Sequence, residues 1–568
     1  MSDTGKILTT DVLVIGGGIA GLCAANKAAE QGAKVLIVEK GVTPWTGQAP
    51  SAGGAFNAVP PEGVEAQVKF MIKEGEYLND QDWTYTYTRD SHPVIFEMAQ
   101  WGDLFPRDIS GEIIYKPPLL IRLYRTDMFQ PTLLGRAKDK GANVLNRVYI
   151  ADLLKYDGRV VGAVGFHYQT GEFYIIQSKT TIIACGGANY KSRPLFHINC
   201  GEGIAMAYHA GAELRNAEFC NTYMLSNKYT RADDRAADSV RRGYENALGE
   251  VMVDKYPELD PVREPGIPGG GGLVFRRWVR AMYREIEAGK GPIYLNLTKQ
   301  PDLAEMRYQA NIITHQNRTH GYVRMMQRLG IDVTKEKVEW TIVPEFHGGP
   351  IRVNLNCETT IPGLYATGDA VQNGSAYEGA LEGCALPGGV PLAFAAVTGF
   401  RAGTAAGKSV STIPEPKLNT TEVEKLKKKI LAPLGSKGGY NPYDAIKEIQ
   451  EIVFPFKNSY IKHKDRLDKA LKRVEEVKAK LPNLTAKDSH ELVRCHEAKA
   501  MAVNAELLYK ASLMRTETRG TNIREDHPQR DVKNWLKWII IRKEGEETKF
   551  WTEPVPIEKY KHKPPGVI

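Results

Sequence analysis

Short apolar runs, alternating stretches and helical stripes succeed one another along the chain. Residues 12–15 (VLVI) are an unbroken apolar run, the pattern of a strand buried on both faces. The segment LCAANKAAEQGA (22–33) that follows a glycine turn has the small residues of a closely packed helix, and KVLIVEK (34–40) reads as a second buried strand. Farther on, VVGAVGFHYQTGEFYIIQSKTTIIACGG (160–187) alternates like a β-meander and ends in an apolar strand. Strand periodicity then fades over 225–275, where REPGIPGGGG (263–272) is a hinge or a long surface loop. STIPEPKLNTT (411–421) reads as a linker. Beyond it Leu467, Leu471, Val474 and Leu481 fall on one helical face amid Lys, Arg and Glu, and 489–515 is a further helix with an alanine-rich stripe.

Length and composition narrow the class. At 568 residues the chain exceeds one simple core, and two or three domains are expected. Hydrophobic residues make up 42% and charged residues 25%, the balance of an ordinary globular protein, and an odd, dispersed set of cysteines suits a reducing compartment, so a cytoplasmic location is expected. The +8 net charge lies largely in Lys/Glu-mixed stretches after residue 415, which reads as solvated helix surface; no nucleic-acid footprint and no direct membrane insertion are expected. Seven scattered cysteines with no C-x-x-C pair argue against an iron-sulfur cluster or a structural zinc within the chain, and no metal site is expected.

The chemistry begins at Gly16-Gly17-Gly18-Ile19-Ala20-Gly21, a G-x-G-x-x-G turn between the first strand and the first helix. Gly16 permits the tight turn, Gly18 lets the backbone approach a pyrophosphate, and Gly21 lets helix and strand pack closely. The helix N-terminus offers its unpaired N–H groups to the phosphates. Glu39, with Lys40 beside it, ends the second strand at the spacing of a ribose-binding acid. Two further stretches favour an extended dinucleotide: GVTPWTGQAPSAGGAFNA (41–58), with Gly47, Gln48, Ser51, Gly53 and Gly54, and IPGLYATGDA (361–370), with Gly368 and Asp369. Gly186 and Gly187 close the meander beside them.

These pieces, together with ETRGTNIREDHPQRDVKNWLKW (517–538), resemble the fumarate reductase/succinate dehydrogenase flavoprotein superfamily, which also includes the adenylylsulfate reductase alpha subunit. The resemblance implies an α/β fold: a Rossmann-like FAD-binding domain (1–215 and 345–410) split by an inserted substrate-capping domain (216–344). A C-terminal helical domain (411–516) and a tail packing on the body (517–568) complete it. It implies an FAD-dependent two-electron oxidoreductase acting on a small molecule. No second dinucleotide motif is present, so electrons are expected to pass through an iron-sulfur or ferredoxin-like partner subunit; self-association stays open. Where covalent-flavin members carry a histidine this chain has Gly47, which implies noncovalent FAD.

The resemblance also locates candidate catalytic residues and departures. PEFHGG (344–349) makes His347 the substrate-facing residue, and GLVFRRWVRAMYREI (272–286) offers Arg276, Arg277 and Arg280 as proton donors, with Arg276 first; strict register puts Phe275 there. The family's carboxylate-clamping arginine is replaced by Glu382 in GALEGCALPGG (379–389). Its His-Pro-Thr element is replaced by Cys220-Asn221-Thr222-Tyr223. An anion in place of a bidentate cation repels a dicarboxylate, so the expected acceptor is an activated C=C compound, or a related one, other than fumarate. The alternatives are a flavin electron-transfer subunit without its own substrate, and an adenylylsulfate-reductase-like alpha subunit. Arg519 and Arg524 are expected to close the active-site region.

Overall fold

The computed structural model describes residues 5–51, 54–114, 120–122, 126–192, 198–226, 241–259, 272–299, 330–332, 335–346, 348–380 and 389–566. Its central element is a seven-stranded sheet in the order β5 (Asn143–Asn146), β2 (Val35–Glu39), β1 (Lys6–Ile15), β8 (Phe173–Ile183), β7 (Arg159–His167), β6 (Val148–Tyr156). The seventh strand, β14 (Leu364–Ala366), joins β8 from nearly two hundred residues downstream. The length of β8 makes this possible. Its first half pairs antiparallel with β7, and its last three residues, Thr181 to Ile183, pair parallel with β14. β1 lies parallel along the other edge of β8, with Ile15 opposite Ile183.

Strands buried on both faces carry no polar alternation, which is why VLVI and VLIVE read as they do. One face is covered by α1 (Ile19–Glu30), which packs against α7 (Val390–Ser409) through a stripe of small residues. Between them lie α2 (Val64–Glu74), α3 (Gln81–Met98), α4 (Thr126–Asp139), α5 (Glu202–Ala210) and α6 (Gly272–Glu287), with β3 (Ala55–Asn57) pairing β4 (Leu120–Arg122).

A separate four-stranded sheet has the order β10 (Asn221–Ser226), β13 (Val338–Glu345), β12 (Ile293–Leu295), β11 (Tyr244–Glu245). It sets β10, which ends where strand periodicity is expected to fade, against a strand more than a hundred residues away. Beyond the exposed 411–419 connection come α8 (Thr420–Leu431), α9 (Pro442–Val453), α10 (Lys464–Lys480) and α11 (Ser489–Met514). The inward face of α10 is Leu467, Ala470, Val474 and Val477; Leu471 is only partly buried, and Leu481 is buried just past the helix end. Two short strands flanking these last helices, β15 (Ile461–Lys462) and β16 (Ile523–Arg524), pair in parallel. The chain finishes with the hairpin β17 (Lys537–Glu544) and β18 (Glu547–Pro554), which adds to β9 (Leu214–Arg215).

Candidate active site

The carboxyl ends of β1, β8 and β14 meet at one point, the place where an open parallel sheet receives a ligand. Gly16 takes φ +113°, and a Cβ there would stand 2.4 Å from the Ala184 carbonyl oxygen, so only glycine fits. Gly18 is different: an added Cβ would meet nothing within 4 Å. It caps α1 without a side chain, so the first N–H groups of the helix, at Ile19, Ala20 and Gly21, have no capping side chain at Gly18. A Cβ on Gly368 would lie 2.8 Å from the Cβ of Ala20, which places Gly368 and Asp369 against the same helix start. Ala184 N–H donates to the Ile15 carbonyl at 2.8 Å and brings Gly186 and Gly187 to the same rim.

Glu39 does more than end β2. It is buried, and its Oε2 accepts from Gly17 N–H at 2.7 Å while its Oε1 accepts from Gly41 N–H at 2.7 Å and the Thr46 hydroxyl at 3.1 Å. One carboxylate therefore staples both glycine loops together, using about three of its roughly four acceptor positions. In the second loop Gly47 takes φ +97° with open space where a Cβ would be, and Gly54 takes φ +66°. Gly53 lies outside the described residues, as does the side chain of Ser51. Lys40 points elsewhere. Its ammonium donates to Glu202 Oε1 at 2.5 Å, Glu497 Oε1 at 3.0 Å and the Ile198 carbonyl at 2.5 Å. Lys191 and Arg494 reach the same Glu497, at 3.0 and 2.5 Å. Cys200 lies beside these two acids, but the acids are held by cations.

A dinucleotide fits this cradle. Thr43 Oγ1, Gln48 Nε2, Thr367 Oγ1 and both amide atoms of Gln130 are buried without a hydrogen-bond partner, whereas buried polar atoms are nearly always paired. Gln130 was not legible as a site residue. It lies on α4, which packs against the Ala49–Ser51 turn of the second loop, and no motif marks that approach.

The candidate catalytic residues divide. His347 and Glu382 lie outside the described residues, as does the side chain of Arg276. Arg277 is exposed and donates to the Glu258 carbonyl at 3.1 Å, so it belongs to the solvent face of α6. The inward face is Trp278, Val279, Ala281 and Met282, with Trp278 edge-on to Tyr244. Arg280 is half-buried and its Nε has no partner. Residues flanking position 347 are well placed: Gly349 N–H donates to the Asp369 carbonyl at 2.5 Å, and Asn373 Nδ2 donates to the Gly348 carbonyl at 3.0 Å.

A fully buried charge cluster ties Glu218, just before β10, to residues 515–524. Arg519 grips Glu517 with two bonds at 2.6 and 3.0 Å and donates to the Glu76 carbonyl at 2.6 Å. Arg515 reaches Glu218 Oε1 at 2.7 Å, and Arg524 donates to the Ser512 and Arg515 carbonyls at 2.6 and 2.8 Å. Lys462 donates to the Glu218 carbonyl, Ser512 Oγ and Asn522 Oδ1 at 2.7, 2.8 and 2.8 Å, and burial pulls its pKa down to about 8. Arg524 also pairs with Asp526 at 2.7 and 2.9 Å, so Arg519 and Arg524 both sit inside this charge cluster.

A glycine-turn cradle at the carboxyl edge of a parallel sheet is a dinucleotide site, and the family matches make it that of an FAD-dependent oxidoreductase. The chain belongs to the fumarate reductase/succinate dehydrogenase flavoprotein superfamily: residues 11–387 match the family described as FAD binding domain, and residues 449–566 match that described as fumarate reductase flavoprotein C-term. An FAD-dependent oxidoreductase of Methanocaldococcus jannaschii is 28% identical over 96% of this chain and 98% of its own length. A fumarate reductase (CoM/CoB) subunit of Methanothermobacter marburgensis is 25% identical over 95% and 98%. Among solved structures, Escherichia coli quinol fumarate reductase superposes with a TM-score of 0.83 at 20% identity, covering 99% of each chain. Adenylylsulfate reductase of Archaeoglobus fulgidus gives 0.78 at 22% identity, covering 97% and 96%. These two similarities show the fold.

Proposed function

We propose that this flavoprotein holds FAD noncovalently and exchanges two electrons with a small acceptor bearing an activated C=C other than fumarate. When bound, FAD supplies hydride transfer. The chain's own residues hold the pyrophosphate at the Gly16–Gly21 turn and the ribose near Glu39, while Gly47 offers no side chain for attachment. His347 faces the acceptor, and an arginine of α6, Arg276 or Arg280, donates the proton. The division into a split FAD domain, a capping domain and a C-terminal helical domain belongs to the same proposal, as does an iron-sulfur or ferredoxin-like electron partner.

One observation carries the exclusion of fumarate. Asn221 pairs with Glu345 and Thr222 with Pro344, so the segment that replaces His-Pro-Thr lies directly beside the strand leading to His347. Cys220, Asn221 and Thr222 are buried there, and the Cys220 thiol donates to the Ser459 carbonyl at 3.2 Å. That wall presents a thiol, an amide and a hydroxyl where a dicarboxylate needs a cation. Losing a buried charge pair costs about 2–5 kcal/mol, roughly 30- to several-thousand-fold in rate. With reduced viologen as donor, fumarate turnover is expected to be negligible, while acid precipitation releases all the flavin as free FAD. Robust fumarate reduction, or colour retained by the acid pellet, overturns the corresponding part of the reading.

A further inference from the structure

Asn189 stands two residues past the Gly186–Gly187 pair, at the carboxyl end of β8, and is completely buried. Its Oδ1 accepts from Phe346 N–H at 3.1 Å. That bond settles the amide orientation, because an N–H needs an oxygen opposite it. It leaves Nδ2 turned away from Phe346, and Nδ2 has no partner. A buried donor without an acceptor costs about 1–3 kcal/mol, so such a group in a native protein is met by a water, an ion or a ligand.

The surroundings hold this amide firmly. Tyr190 and Lys191, the next two residues, both lie in the left-handed region at φ +51° and +55°. Consecutive non-glycine residues there are strained, and such strain gathers at functional sites when neighbouring structure enforces it. Here the enforcement is visible. Ser192 N–H donates to the Asn189 carbonyl at 2.8 Å, Gln450 Nε2 donates to the Tyr190 carbonyl at 2.8 Å, and Lys191 pairs with Glu497 at 3.0 Å. The Tyr190 ring meets Phe346 edge-on at 4.8 Å. Asn189 thus joins the rim of the nucleotide cradle to the residue immediately before His347.

We infer that Asn189 is a substrate-binding residue: its Nδ2 donates to a carbonyl or carboxylate oxygen of the acceptor. The inference rests on the proposed oxidoreductase reading and deepens it. A neutral donor of this kind orients an oxygen without requiring the substrate to be a dianion, which suits a wall built from Cys220, Asn221 and Thr222. The Phe346 bond makes Asn189→Asp the informative variant, because one carboxylate oxygen still accepts from Phe346 N–H while the other turns a donor into an acceptor.

The test uses the FAD-loaded full chain of the wild type, Asn189→Asp and Asn189→Leu. FAD content and the flavin midpoint potential are measured first. Each dithionite-reduced protein is then mixed anaerobically with crotonate, trans-cinnamate and 2-cyclohexenone, and flavin reoxidation is followed by stopped flow. Both variants are expected to keep wild-type FAD content and potential. For the compounds that reoxidise the wild type, the second-order rate constant should fall tenfold or more in Asn189→Leu and further in Asn189→Asp. Lost FAD or a shifted potential assigns Asn189 to the flavin and overturns the inference, as do unchanged rates. If no compound reoxidises the wild type, the oxidoreductase reading for activated C=C acceptors fails and takes this inference with it.

Discussion

Glu39 and Gln130 show what one side chain contributes and how visible that is beforehand. Glu39 is picked out by spacing alone, since an acid about twenty residues past a glycine turn is the proposed ribose-binding position. The task the structure shows, holding Gly17 and Gly41 together, depends on how the Thr43–Gly47 loop folds back on β2. Glu39→Ala should therefore lower both FAD retention and the melting temperature of the FAD-free protein. Each charge-assisted hydrogen bond lost is worth about 1.5–3 kcal/mol. Gln130→Leu removes two unpartnered polar atoms instead, so the FAD-free protein should melt no lower than the wild type. Its FAD dissociation constant should rise roughly tenfold, the value of one or two neutral hydrogen bonds. Equilibrium dialysis and thermal melts of the FAD-free and FAD-loaded forms separate the two effects. His347, Glu382 and Arg276, the other residues singled out by sequence, gain no geometry here; Arg277 turns to solvent because Trp278 and Met282 take the inward face of α6.

Helix packing decides the next scale. Added Cβ atoms on Gly399 and Gly403 of α7 would stand 2.5 Å and 2.1 Å from the carbonyl oxygens of Ala20 and Ala24 on α1, and one on Gly407 would lie 3.0 Å from the Ala28 backbone. Small residues four apart on both helices form one flat seam that lets their backbones touch. Gly135 on α4 has nothing within 4 Å of the same position. Gly135→Ala should stabilise the protein by about 0.5–1 kcal/mol through helix propensity. Gly403→Ala should destabilise it by about 1–3 kcal/mol, because overpacking outweighs that gain. Urea unfolding of both variants checks the pair. The alanine-rich look of 22–33 was readable as close packing, but its partner was not. Likewise the inward stripe of α10 runs through Val477, whereas Leu481 was the residue expected from apolar spacing; it lies beyond the last helical turn, where the 3.6-residue period no longer applies.

Across the whole molecule, the nucleotide cradle and α11 are joined by Lys40, Glu202, Glu497, Lys191 and Arg494. Burial alone would raise the Glu497 pKa, yet Lys40, Lys191 and Arg494 hold it at about 2. A depressed carboxyl contributes stability above its ordinary range, and that stability is lost as pH falls through the folded value. His209 and His496 act earlier. Burial lowers them to about 4 and about 3 from an ordinary 6.5, so below pH 6.5 the unfolded chain binds protons that the folded chain refuses. Melting temperature should therefore decline from pH 6.5 downward and more steeply below 4.5. His496→Phe should flatten the first decline, and Glu497→Gln should cost about 3–5 kcal/mol at neutral pH by leaving buried cations unpaired. Differential scanning calorimetry from pH 8 to 3 measures all three. The sequence by itself determined the dinucleotide turn and its acid, which depend on local periodicity and fixed short spacings, while the fold class and the flavoprotein family were legible through the resemblance its motifs carry. Only the tertiary structure decided that β14 joins β8, that β10 lies beside the strand to His347, that the helix carrying Gln130 packs against the second loop, and that Asn189 holds a buried donor without an acceptor. Those are contacts between residues far apart in the chain, set by how strands and helices pack, and no local pattern encodes them.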